Sequence, residues 1–253
     1  MKAVKFAKYI IHDIIVPVAI YYSIFMLILL LLAYVKYNSI GRVTFSGMEF
    51  ATVFFLFVMG LNMFKENFNF SQANGLSRKS FLIGTVMGII PIALGLSILD
   101  LIINRVYNLF VHCPTNFDMI YGIYKGLSHR EAVESVMNWA QLNSISTLFG
   151  TIVWQFALYS TVIILGILIS LIYFRSNSII KIVVSVVPLS LIMLLSYLAD
   201  IYPTFERSIN QLITAAFGWN TSNPYIAVFS FLVIFVMFTG VAHLLVRRAV
   251  PKE

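Results

Sequence analysis

Six runs of almost unbroken apolar residues constrain this chain more than any other feature. They lie at about 14–35, 48–64, 81–103, 148–174, 179–198 and 225–246. A helix needs about 20 such residues to cross the ~30 Å hydrocarbon layer. Lipid offers no hydrogen bonds, so only helices and closed barrels can span it. A barrel strand alternates apolar and polar residues over about 10 positions. These runs do not alternate, so they read as helices. The first contains IVPVAIYYSIFMLILLLLAYV and follows Lys2, Lys5 and Lys8, as a signal peptide would. Its core is too long for one, and five more runs come after it. Pro17 near its start marks a kink, or the point where an interfacial N-terminal segment turns into the membrane.

Composition closes the alternatives. Hydrophobic residues make up 60% of the 253 and charged residues 11%, against roughly 45–50% and about 25% in soluble proteins. A soluble domain or a disordered chain is excluded. So is a disulfide scaffold, because Cys113 is the only cysteine. Six spans take roughly 120 residues. The expectation is an all-α polytopic membrane protein, a single transmembrane domain over 1–253 with no attached soluble enzyme.

Lysine and arginine set the orientation. With the N-terminus inside, the cytoplasmic segments hold Lys2, Lys5, Lys8, Lys65, Arg78, Lys79, Arg175, Lys181, Arg247, Arg248 and Lys252, which is 11 of the 17. The outer side holds Lys36, Arg42, Arg105, Lys125, Arg130 and Arg207. Both termini are therefore expected in the cytoplasm of a multi-pass cell-membrane protein. The net charge of +7 follows from this bias, and no nucleic-acid partner is needed.

Three segments outside the runs carry pattern. In 64–80, Phe64 and Phe68 share a helix face while Lys65 and Glu66 point elsewhere. Asn74-Gly75 is a turn signal, and Ser77 is a candidate N-cap for the third span. The segment is either an interfacial loop with snorkelling basic residues or a docking element for a cytoplasmic partner. In 107–147, a capping box of Ser128 with Glu131 predicts an external helix over 129–142. His112, Cys113, Asp118 and His129 match no metal spacing. In 200–223, Pro203 and Gly218 bracket an amphipathic helix too short to span, with Phe205, Ile209, Leu212 and Ile213 broadly on one face. It reads as interfacial or re-entrant.

Few polar residues interrupt the runs. Glu49 and Asp100 lie close to run ends and are expected at interfaces, and no buried carboxylate array suggests an ion-coupled carrier. The glycines of the third run, Gly84, Gly88 and Gly95, predict close helix packing against an unspecified partner. The chain has no GxxxxGK[ST] loop, no HExxH and no GxSxG, so no catalytic site is assigned to it.

The whole chain resembles the six-span membrane subunit of an ABC-2 type exporter of Gram-positive bacteria. The resemblance rests on the N-terminal segment, the 64–80 loop with Glu66-Asn67 and Asn74-Gly75-Leu76-Ser77-Arg78-Lys79, the helix between spans five and six, and the terminal Val246-Arg247-Arg248-Ala249-Val250-Pro251-Lys252. It implies a permease pairing with a second copy or a homologous permease and with separate P-loop ATPase subunits, which would hold ATP and Mg. The loop would be the coupling helix, with Phe64 and Phe68 anchored in the ATPase while Lys65, Glu66, Arg78 and Lys79 orient the contact. Phe205, Ile209, Leu212 and Ile213 would form an external gate. Tyr21, Tyr22, Phe54, Phe55 and Tyr197 are candidates for the path of a hydrophobic or amphipathic cargo, a peptide or antimicrobial being favoured. They are equally suited to facing lipid. A non-transporting sensor or immunity scaffold binding a peptide at 107–147, and an ion-coupled carrier, are the alternatives.

Overall fold

Every apolar run forms a helix. The computed structural model describes residues 2–38, 46–123, 141 and 143–247. Among these, all regular structure is helical: α1 (Lys2–Asn38), α2 (Glu49–Ala73), α3 (Arg78–Tyr107), a short α4 (Asn116–Asp118) that runs into a π-turn at Met119–Ile123, α5 (Ile145–Arg175), α6 (Ser178–Ile201), α7 (Pro203–Ala216) and α8 (Pro224–Val246). Five of them, α1, α3, α5, α6 and α8, are long and apolar enough to cross a membrane. The external helix expected over 129–142 falls outside the described residues but for Gln141.

The boundaries have local causes. Ser77 caps α3 by accepting a hydrogen bond from the Ser80 amide at 3.2 Å, and Ser144 caps α5 from Thr147 in the same way. Pro203 and Pro224 open α7 and α8 in the first turn, where a missing N–H costs nothing. At the end of α2, Gly75 takes φ +65°. The Leu76 amide reaches back to Ser71 O and the Gly75 amide to Gln72 O, which is the Schellman closure of a helix. Leu76 then packs on the core, so the chain reverses from α2 into α3 within a few residues.

The 64–80 segment starts as helix, because α2 continues unbroken through Phe64 to Ala73. α1 is one helix through Pro17, about 55 Å long at 1.5 Å per residue. Its first turns bury Phe6, Ala7 and Ile10. Phe6 and Ile10 fit over Gly84 and Gly88 of α3, where a Cβ would fall 2.8 Å from Ala3 O and 3.2 Å from Ile10. That contact names the partner of the α3 glycines. Gly95 faces open space.

α5 is the central post. Tyr159, Ile163, Ile164, Ile167 and Leu171 are fully enclosed, and α2, α3 and α8 pack around it. The helices alternate in direction, so one end of the bundle collects the start of α1, the α2–α3 turn, the α5–α6 junction and the end of α8. Most of the described lysines and arginines lie there too, Lys36, Arg105 and Arg207 being the exceptions. Arg78 donates to Arg247 O at 2.5 Å, and Arg175 donates to Leu245 O at 3.0 Å. α6 buries none of its residues in the bundle and touches chiefly α7.

Candidate functional site

At the basic end, Lys65, Glu66 and Lys79 are exposed and Arg78 is half-buried. Phe64 and Phe68 are 1% and 0% exposed. Their rings stack at 5.2 Å, and both meet Phe81 of α3 and Phe174 of α5 edge-on. The pair anchors the turn to its own bundle, which corrects the expectation that these rings reach into a partner. The exposed surface of this turn carries Lys65, Glu66 and Lys79, with the Phe70 ring also exposed beside them.

The path candidates divide. Tyr21 stacks on Phe55 at 4.2 Å, and its hydroxyl lies 2.9 Å from Thr52 Oγ1. Tyr22 is buried and donates to Asp100. The structure thus brings Tyr21, Tyr22 and Phe55 together where α1 meets α2 and α3. Phe54 and Tyr197 lie on the outer surface. Of the gate candidates, Phe205 and Ile209 are half-buried, while Leu212 and Ile213 are exposed. α7 is held at its far end, where Tyr121 donates to Phe217 O at 2.9 Å and Ser230 of α8 donates to Ala216 O at 2.5 Å.

The half of the bundle away from the basic end contains a polar core. Asp100 of α3 accepts 2.6 Å and 2.5 Å hydrogen bonds from the hydroxyls of Tyr22 and Tyr159. Those three residues tie α1, α3 and α5 together. Glu49, on the first turn of α2, is 1% exposed. It accepts from Gln155 Nε2 of α5 and from the Asn116 amide, each at 3.3 Å. Asp118 accepts from Thr115 N in a capping box and faces Arg105 at 3.7 Å. Burial raises the Asp118 carboxyl above the ordinary range, against the opposing pull of Thr115 and Arg105. Asn104 and Asn108 both donate to Cys113 O, and burial pushes the Cys113 thiol up to about 12.

The Glu49 and Asp100 carboxyls are buried, at 1% and 2% exposure. Both are enclosed by helices, because residues far apart in the chain bring hydroxyls and amides to them. In the sequence, Gln155 and Tyr159 are polar residues within the fourth apolar run. Their four-residue spacing, matched by Glu49 and Thr52 three apart on α2, is the signal that they share a face.

An apolar groove of about 840 Å³ runs between α1 and α3 beyond this core, lined by Met26, Leu29, Ile102, Val106 and Phe110, with Lys36 as its basic residue. No group of three metal-ligating side chains occurs among the described residues. Comparison with family models, curated proteins and solved structures finds no match to this chain. The five long apolar helices decide its broad class. This is a multi-span membrane protein.

Proposed function

We propose that the chain is the membrane subunit of an ATP-driven exporter, with α2 as a sixth span and both termini in the cytoplasm. The observation that carries the reading is the α2–α3 turn at the basic end. It exposes Lys65, Glu66 and Lys79 to a cytoplasmic partner, while Phe64 and Phe68 lock it onto α3 and α5. A push from an ATPase on that turn would move packed helices rather than a loose loop. The concentration of basic residues at this end supports a cytoplasmic placement. α7, amphipathic and at the opposite end, suits an external gate, with Phe205 and Ile209 half-buried and Leu212 and Ile213 exposed. The apolar groove with Lys36 supports a hydrophobic or amphipathic cargo. A second permease, identical or homologous, would complete the path.

The test is purification from the native membrane in mild detergent with mass spectrometry of the complex. A stoichiometric P-loop ATPase, lost in a Lys65→Glu/Lys79→Glu variant that melts like the wild type, is the expected result. Recovery without any ATPase, under conditions that keep other membrane complexes intact, would discard the reading. The buried pair Glu49 and Asp100 is the one observation that favours the other reading, an ion-coupled carrier. It would transport in proteoliposomes with no ATPase present.

A further inference from the structure

Glu49 and Asp100 are buried together, yet the bundle treats them differently. Asp100 is served by two short hydroxyl donors, Tyr22 and Tyr159, which suits an ionised carboxylate. Glu49 has long contacts, both 3.3 Å, from the Asn116 amide and from Gln155 Nε2, beside its own backbone amide, and no hydroxyl donor among the described residues. The same carboxamide carries the deciding observation. Gln155 is 0% exposed, and its Oε1 has no hydrogen-bond donor among the described residues. A buried acceptor left unsatisfied costs about 1–3 kcal/mol. Beside an ionised carboxylate, a carboxamide can use only its N–H groups. Beside a carboxylic acid it can use both ends, its N–H given to the acid carbonyl and its oxygen taking the acid O–H. A proton on Glu49 supplies the donor that Oε1 lacks.

Charge balance agrees. The groups facing Glu49 are Asp100 and Arg105 from α3, Cys113 and Asp118 from the segment before the π-turn, and Tyr159 from α5. Arg105 is the sole cation among these, and it faces Asp118. With all three carboxyls ionised, one guanidinium would have to offset them in a buried setting, where unpaired charge is severely penalised.

We propose that Glu49 and Gln155 form a proton-binding site on the α2–α5 seam, in which Glu49 holds the proton at neutral pH and donates it to Gln155 Oε1. Loss of that proton to water breaks the O–H···O bond and leaves a second carboxylate beside Asp100. Proton occupancy therefore sets how tightly α2 closes on α5. The inference does not depend on which partner the basic end binds.

The test is infrared spectroscopy of the full chain in nanodiscs at pH 7, in H₂O and D₂O. A carboxylic-acid C=O band that shifts on deuteration is expected in the wild type. It should be lost in Glu49→Gln, retained in Asp100→Asn, and moved in Gln155→Leu, which removes the hydrogen-bond partner. Glu49→Gln should melt at the wild-type temperature, because glutamine mimics the neutral acid. Absence of the band in the wild type, its survival in Glu49→Gln, or its indifference to Gln155→Leu each overturns the proposal. If Glu49→Gln does not fold, the wild-type spectrum and Gln155→Leu still decide. A melting temperature raised by sodium over choline at constant pH, and only while Glu49 is present, would make this a metal-cation site and overturn the proton assignment.

Discussion

Gly60 of α2 and Gly166 of α5 cross so closely that a Cβ on Gly60 would sit 2.5 Å from Ile163 O, and one on Gly166 would sit 2.5 Å from Phe57 O. Both obstacles are backbone, so neither can swing aside. Gly60→Ala and Gly166→Ala should each cost about 1–3 kcal/mol, the usual range for overpacking. Gly95→Ala, which meets nothing within 4 Å, should be neutral or slightly stabilising in the helix. Thermal melts of the three variants in one detergent check this. Equal melting temperatures would show that the crossing is looser than its geometry.

The aromatic lock at the basic end makes a separate prediction. Phe64→Ala and Phe68→Ala each remove a fully enclosed ring, and should cost about 3–5 kcal/mol. Lys65→Glu and Lys79→Glu alter exposed groups and should change stability by less than about 0.5 kcal/mol. The two pairs separate folding from partner binding. Loss of ATPase association through the charges alone, in chains that melt normally, is the expected outcome. Denaturant or thermal melts alongside co-purification measure it.

The elements were legible where chemistry is local. Apolar run lengths located all the long helices, and Ser77 and Pro203 marked where helices begin. What escaped was orientation. Phe64 and Phe68 at a four-residue spacing look the same whether they face a partner or their own bundle, and only Phe81 and Phe174 decide it. The apolar run ends at Phe64, yet α2 runs on to Ala73 because one face stays packed through Asn67, Phe68 and Ser71. Glu49 and Asp100 read as interfacial from their places near run ends. Tyr22 and Tyr159 lie 78 and 59 residues from Asp100, and Gln155 lies 106 from Glu49. No local pattern announces such partners.

Asp100 should behave as the hub of three helices. Tyr22→Phe and Tyr159→Phe each delete one hydroxyl donor to a carboxylate, at about 1.5–3 kcal/mol apiece. Asp100→Leu strands two buried hydroxyls and should cost more than either. Adding Tyr22→Phe and Tyr159→Phe to Asp100→Leu should recover part of that loss, because no polar group is then left without its partner. Melts of these variants together with the Tyr22→Phe/Tyr159→Phe double complete a double-mutant cycle. Strict additivity would show that the hydroxyls and the carboxyl do not act as one unit.

Cys113 gives the sharpest dependence on pH. It is enclosed at 1% exposure, and burial, reinforced by the nearby Glu49 carboxyl, pushes its thiol up to about 12. Alkylation needs the thiolate. At pH 8 the thiolate fraction is on the order of 10⁻⁴, so the chain's only cysteine should resist a maleimide in its folded state and react at once when denatured. The sign of the stability effect follows from the same shift. Between the ordinary thiol value of 9.0 and about 12, the folded state keeps a proton that the unfolded state has released, so stability falls as pH rises across that window. Cys113→Ala removes this term and should flatten the melting temperature between pH 9 and pH 11 relative to the wild type. The variant starts from a lower value because a buried side chain has been trimmed. Fast labelling of the folded protein at pH 8, or parallel pH profiles for the two chains, would contradict the enclosed neutral thiol.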